Sequence, residues 1–116
     1  MAGWYREALG GLDLALPCAD AGGDVRGWFV FVVQLPRDVD RDATIRALGA
    51  RGVQAKPYLP AIHLMSFYRE RFGHRPGEFP VCERVAAASL ALPFFPQMTE
   101  GQVARVAEAL SGLLGA

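Results

Sequence analysis

The eight residues Trp28 to Leu35, WFVFVVQL, limit the fold more than any other stretch of this chain. Three are aromatic and three are valine, and only Gln34 is polar. Side chains of this kind fit a pleated sheet. An apolar run on both faces reads as a central strand, covered on both sides. The run falls far short of the ~20 residues needed to cross a bilayer, and no other apolar run approaches that length. The rest of the chain must therefore supply the cover. At 116 residues it suits one domain, and 52% hydrophobic residues are enough for a real core.

The flanking sequence supplies helices and shorter strands. Trp4, Tyr5, Ala8 and Leu9 look like the last turns of an amphipathic helix closed by Gly10-Gly11. A helix that begins at once, without a capping residue, is expected of a piece cut from a longer parent. Leu12 to Leu16 alternates and stops at Pro17, a short strand candidate, and CADAGGDVRG is a polar loop. Asp40 or Asp42 caps a helix carrying Ile45 and Leu48 and ending at Gly52. Val53 to Lys56 is then a second strand stopped by Pro57, so strand, helix and strand form a split or crossover unit.

Pro57 and Pro60 keep the following segment extended. A helix is expected from about Ser66 to Phe72, then a turn-rich loop, GHRPGE. Pro80 suits the first position of a helix with Val81, Val85 and Ala88 on one face. LALPFFP is an apolar segment braked by Pro93 and Pro96. Thr99 and Gln102 form a capping box for a last helix, to about Leu114, with Val103, Val106, Ala107, Leu110 and Leu113 on one face. The fold class expected is α+β, with about three strands covered by about four helices.

Lys plus Arg and Asp plus Glu number 12 each, a net charge of zero. That balance argues against a nucleic-acid protein and against an anionic membrane surface. The start has no basic segment followed by a long apolar one, so no signal peptide is read there. Cys18 and Cys82 form no CxxC pair and are expected to be free, mostly buried thiols of a cytosolic protein.

No stand-alone catalytic motif is present: GxGxxG, GxxxxGK[ST], HExxH and GxSxG are all missing. The spacing of His63, His74, Cys82 and Glu83 fits no zinc pattern. Glu70, Glu78 and Glu83 read as solvated charges rather than a carboxylate pair. His63 stands apart. It follows the rigid segment Tyr58-Leu59-Pro60 and precedes a helix start, where a side chain is well placed for binding. A core role, a metal ligand, a catalytic base and a substrate contact all stay open for it. Lys56, at a strand end before Pro57, suits a salt bridge or an anionic ligand better than a Schiff base, which would need burial.

The ordered series does more. Arg41-Asp42, Leu48 to Val53, Lys56 to His63, Phe67 to Gly73, Gly77 to Glu83, Leu90 to Glu100 and Val106 to Leu110 follow one another along the chain. In that order the chain closely resembles the C-terminal region of the DegT/StrS-type aminotransferases, which act on nucleotide-linked keto-sugars. The resemblance covers essentially the whole chain. It implies the small C-terminal domain of a cytosolic, dimeric, fold type I pyridoxal-phosphate (PLP) enzyme, spanning residues 1–116. Residues 1–11 would be the end of an interdomain helix. The cofactor would be held by a lysine of a large domain that this chain lacks, so no catalytic, cofactor or metal residue is assigned here and no PLP is expected on this chain alone.

The resemblance further implies that His63, with Tyr58 and Lys56, borders the sugar-nucleotide pocket. Lys56 stands where many members have arginine, and Ala61 where many have proline, so a bidentate contact to phosphate or carboxylate is not implied. The small domain would close the cleft and be silent alone. Two alternatives share these residues: the small domain of a PLP-dependent sugar dehydratase, and a stand-alone nucleotide-sugar-binding or regulatory module. An unrelated α+β domain is a further reading. Without the large domain an apolar face is expected to be open, with Trp4, Tyr5, Leu64, Met65 and Leu90 to Phe95 as its candidates, and to drive self-association.

Overall fold

The computed structural model describes residues 1–115. Its sheet has three strands among the described residues, and the apolar segment after the fourth helix occupies the middle. β3 (Ser89–Leu92) runs antiparallel to both β1 (Phe31–Gln34) and β2 (Lys56–Pro57), in the order β1-β3-β2. Phe31 pairs with Leu92 and Gln34 with Ser89 on one flank, and Lys56 pairs with Ala91 on the other. β1 and β2 are thus parallel, with β3 between them, and α2 (Arg41–Ala50) connects them. This is the split form of the expected strand-helix-strand unit.

Three strand expectations are corrected by this topology. The Trp28–Leu35 run is not the central strand. Among the described residues, only an isolated bridge lies beyond β1 on its free side, in which Ala15 and Gln34 exchange backbone hydrogen bonds at 2.9 Å. Nor is the run covered on both faces: Phe31, Val33 and Leu35 are buried, while Phe29 is 79% exposed. Leu12 to Leu16 contributes that single bridge and no strand. The second strand is Lys56–Pro57 rather than Val53 to Lys56. Pro57 is tolerated because β2 is an edge.

The core lies between the sheet, α1 (Ala2–Leu9), α2 and α5 (Glu100–Leu114). Tyr5 stacks on Phe31 with centroids 4.7 Å apart, and Trp28 stacks on Phe31 at 5.5 Å. Leu9, Leu48, Leu90 and Leu110 are fully buried, each worth about 1.5–3 kcal/mol relative to exposure. Val103, Val106, Ala107 and Leu110 form the buried stripe of α5, with Leu113 packed at its margin. The Thr99–Gln102 capping box is complete, and Gly115 closes the helix at φ +73°. Asp40 caps α2 by accepting from the Ala43 N–H at 2.8 Å. The α1 stripe is narrower than expected, since Ala8 is exposed.

The other end of the molecule is open. α3 (Ser66–Phe72) and α4 (Pro80–Ala88) contain no buried residue. Pro80 takes the first position of α4 as expected, but its stripe does not face a core: Val81 is 59% exposed. Cys82, on this uncovered helix, and Cys18, in the polar loop, are both free and exposed, not buried. The open apolar surface is only in part the expected one. Tyr5, Leu90 and Leu92 belong to the core, while Met65 and Phe95 are exposed as expected, and Ile62, Phe67, Tyr68, Phe72 and Phe79 are exposed besides. Among the described residues there are five α-helices, each where a helix was expected, and none is long and apolar enough to cross a membrane.

Candidate functional site

Pro57 and Pro60 hold the chain away from the sheet between β2 and a 3-10 turn at Ile62–Leu64. Leu59, between them, adopts φ +46°, a left-handed conformation that costs a non-glycine residue energy. This bent segment forms one wall of a groove of about 450 Å³. Pro57, Leu59, Pro60 and Ala61 line one side, while Ala86 and Ala87 of α4 lie opposite. Its two charged residues are Arg41 and Glu83. Arg41 is pinned, donating from Nη1 to the Ala86 carbonyl at 2.6 Å and from Nε to Asp42 Oδ1 at 2.9 Å.

The 3-10 turn places His63 against the start of α4. The residue is 8% exposed. Its Nε2 donates to Glu83 Oε1 at 2.8 Å. The Phe79 ring stands edge-on at 4.8 Å, and the His74 ring at 6.1 Å. Glu83 also receives the Gly77 N–H on both oxygens at 2.9 Å, and the Phe79 N–H at 3.5 Å. One carboxylate therefore ties the His63 turn, the glycine turn and the first turn of α4 together. The His63 hydrogen bond, then the Gly77 N–H, hold the Glu83 carboxyl below the ordinary range. Beside it, His74 Nδ1 donates to Glu78 Oε2 at 2.8 Å, which lowers Glu78 as well.

The three residues singled out from sequence occupy different settings. Lys56 is exposed on β2, Tyr58 is half-buried, and His63 is buried. No hydrogen bond, ion pair or ring contact joins them among the described residues, and none of the three lines the groove. What the sequence reading missed is Glu83, taken as a solvated charge. Its position in the first turn of a proline-started helix was the available signal. Its partner, 20 residues earlier, is visible only in the fold. Glu70 is exposed, as a solvated charge should be. Among the described residues no group of three His, Cys, Asp or Glu is placed to hold a metal ion.

Residues 1–111 match the family model described as the DegT/DnrJ/EryC1/StrS aminotransferase family. A UDP-N-acetyl-3-dehydro-alpha-D-glucosamine 3-aminotransferase from Acidithiobacillus ferrooxidans is 40% identical over 107 residues, covering 91% of this chain and 27% of that enzyme. Among solved structures, the aminotransferase TlmJ from Streptoalloteichus hindustanus matches 99% of this chain and 31% of its own, at a TM-score of 0.81 and 27% identity. DesV from S. venezuelae, solved with a ketimine intermediate, matches 99% of this chain and 30% of its own, at 0.82 and 29%. The chain thus spans less than a third of each of these relatives.

Proposed function

The chain belongs to the DegT/DnrJ/EryC1/StrS aminotransferase family, and from that premise we propose that it is the C-terminal small domain of a PLP-dependent enzyme that moves an amino group from an amino acid to a nucleotide-linked keto-sugar. One observation carries the reading: a chain 40% identical to a UDP-sugar aminotransferase spans only 27% of that enzyme. The chemistry then belongs to the remainder, and this domain contributes to the pocket and its closure. In this reading the whole of residues 1–116 is one domain of the parent, α1 is the end of the helix leading into it, and the parent is a cytosolic homodimer.

The residues present do not fit a PLP site of their own. Lys56, the single lysine of the sequence, is exposed on a two-residue edge strand outside the groove, not desolvated as a Schiff-base lysine would be. PLP is assigned to the remainder of the parent.

The segment from Lys56 to His63 is read as one wall of the nucleotide-sugar pocket. The prolines and the left-handed Leu59 support this, since they hold that segment in one shape without ordering cost at binding. Lys56 offers a point charge to a diphosphate, Tyr58 an amphipathic ring, and His63 a hydrogen bond. The open face of α3 and α4 supports an assembled parent, because exposed apolar rings on that scale mark an interaction surface.

A chimera tests the proposal. The matched part of the Acidithiobacillus enzyme is replaced by this chain, and amino transfer to a UDP-linked 3-keto-sugar is followed with PLP present. The chimera is expected to turn over while the 116-residue chain alone does not. Turnover or tight nucleotide-sugar binding by the chain alone would favour a self-sufficient module instead. A folded, PLP-loaded chimera with no activity would sink the proposal.

A further inference from the structure

We propose that Glu83 is a positioning residue for His63: it holds the imidazole with the proton on Nε2, so that Nδ1 is presented as a hydrogen-bond acceptor for a hydroxyl or amino group of the ligand. The inference rests on the reading of the Lys56 to His63 segment as a pocket wall, and it assigns the part of the ligand that wall takes.

An ionised carboxylate has only acceptors. Glu83 is engaged by donors on every side: Gly77 N–H at 2.9 Å to each oxygen, Phe79 N–H at 3.5 Å, and His63 Nε2 at 2.8 Å. A neutral His63 can enter that set only with its proton on Nε2. The ring cannot easily turn away from it, because Phe79 stands edge-on at 4.8 Å and His74 at 6.1 Å.

The other nitrogen is free. No hydrogen bond reaches His63 Nδ1, and no buried side-chain nitrogen or oxygen among the described residues lacks a partner. Nδ1 must therefore meet solvent, although His63 is only 8% exposed. A buried ring with one fixed nitrogen and one open nitrogen is a one-sided contact. With the proton on Nε2, the open side carries a lone pair. It attracts O–H and N–H donors and repels phosphate oxygens, which are acceptors themselves. Hydroxyl and amino groups are what a sugar offers, and a diphosphate has neither.

Long-range 1H–15N correlation spectra of the 15N-labelled 116-residue chain near pH 8 test the arrangement. The expected result is a single His63 tautomer with Nε2 protonated and Nδ1 bare. A proton on Nδ1 overturns the role of Glu83 and leaves the pocket-wall reading standing. Glu83→Gln can offer an N–H to the ring, so it is expected to mix or invert the tautomers, while Glu83→Asp, which keeps the charge, retains the original one. A folded Glu83→Gln with the wild-type tautomer overturns the positioning role. If that variant does not fold, the wild-type and Glu83→Asp spectra still decide.

Titration of the PLP-loaded chimera, segmentally 15N-labelled in the residues of this chain, with UDP-glucose, UDP and inorganic phosphate then separates the ligand classes. The Nδ1 resonance is expected to shift with UDP-glucose and not with the other two. An equal shift with phosphate overturns the donor assignment, and an equal shift with UDP, whose ribose hydroxyls and uracil N–H are donors too, overturns the assignment to the sugar. Silence with all three overturns it too, and counts also against the pocket wall.

Discussion

The Tyr5 hydroxyl donates to the Pro93 carbonyl at 2.6 Å, joining residues 88 apart in the sequence. The same ring lies flat on Phe31, so α1 is bound to the sheet by one polar and one aromatic contact. Burial pushes the Tyr5 phenol well above its ordinary value, keeping it a donor at any working pH. Tyr5→Phe should cost about 1 kcal/mol through the lost hydrogen bond. Tyr5→Ala should cost about 3–5 kcal/mol, because it leaves a cavity. Urea unfolding followed by fluorescence measures both, and equal losses from the two would mean that the ring contributes nothing beyond its hydrogen bond.

α5 is the longest helix, and its first turn is held by side chains rather than by packing. Thr99 accepts from the Gln102 N–H, and the Gln102 side chain accepts from the Thr99 N–H at 2.9 Å. Thr99→Ala should lower stability by about 1 kcal/mol, and Thr99→Gly by only a few tenths. Because Thr99 is exposed, the effect should appear without any change in the near-ultraviolet spectrum of the core. A loss at Gly as large as at Ala would argue against a capping origin.

Stability should fall in acid for a specific reason. Asp40, Glu78 and Glu83 all titrate below ordinary carboxylates in the folded chain, held there by the Ala43 N–H, by His74 and by His63 respectively. A group of this kind binds its proton more readily when unfolded. Its contribution is complete above the unfolded value of about 4 and disappears as pH drops through the folded value. Glu83→Gln should therefore be less stable than the parent at pH 7, with the gap closing below about pH 4. Urea midpoints taken from pH 3 to 8 would show it. A gap independent of pH would mean that charge on Glu83 is not what matters.

The isolated chain should self-associate through the open side of α3. Phe67 and Phe72 are 62% and 60% exposed and lie on a helix that buries nothing. The paired substitution Phe67→Ser and Phe72→Ser should reduce the mass measured by light scattering while leaving the unfolding free energy within about 0.5 kcal/mol. A parent chain that stays monomeric at high concentration, or a variant that associates equally, would locate the contact elsewhere.

Local signals carried well into the fold. The Asp40 cap, the Thr99–Gln102 box, Pro80 at the head of its helix and the Val103 to Leu110 stripe each depend on neighbours within a few residues, and each stands where the spacing placed it. The strand at Trp28 to Leu35 was legible as a strand but not as an edge. Which strand lies in the middle depends on Phe31 meeting Leu92, and nothing near either residue encodes that meeting. Burial failed in the same way. An apolar stripe such as Val81, Val85 and Ala88 says that a face wants cover, not that this chain supplies it.

The ordered motifs by themselves determined the family and the α+β class, because they preserve the chemistry of caps, turns and core stripes in sequence order. They also singled out His63, from its place after two prolines. Only the tertiary structure decided what His63 faces. It brought Glu83, from the other side of α3, to 2.8 Å from one ring nitrogen, and it left the second nitrogen open to solvent. A hydrogen bond between side chains far apart in sequence is a consequence of packing, and packing is settled by the whole chain at once.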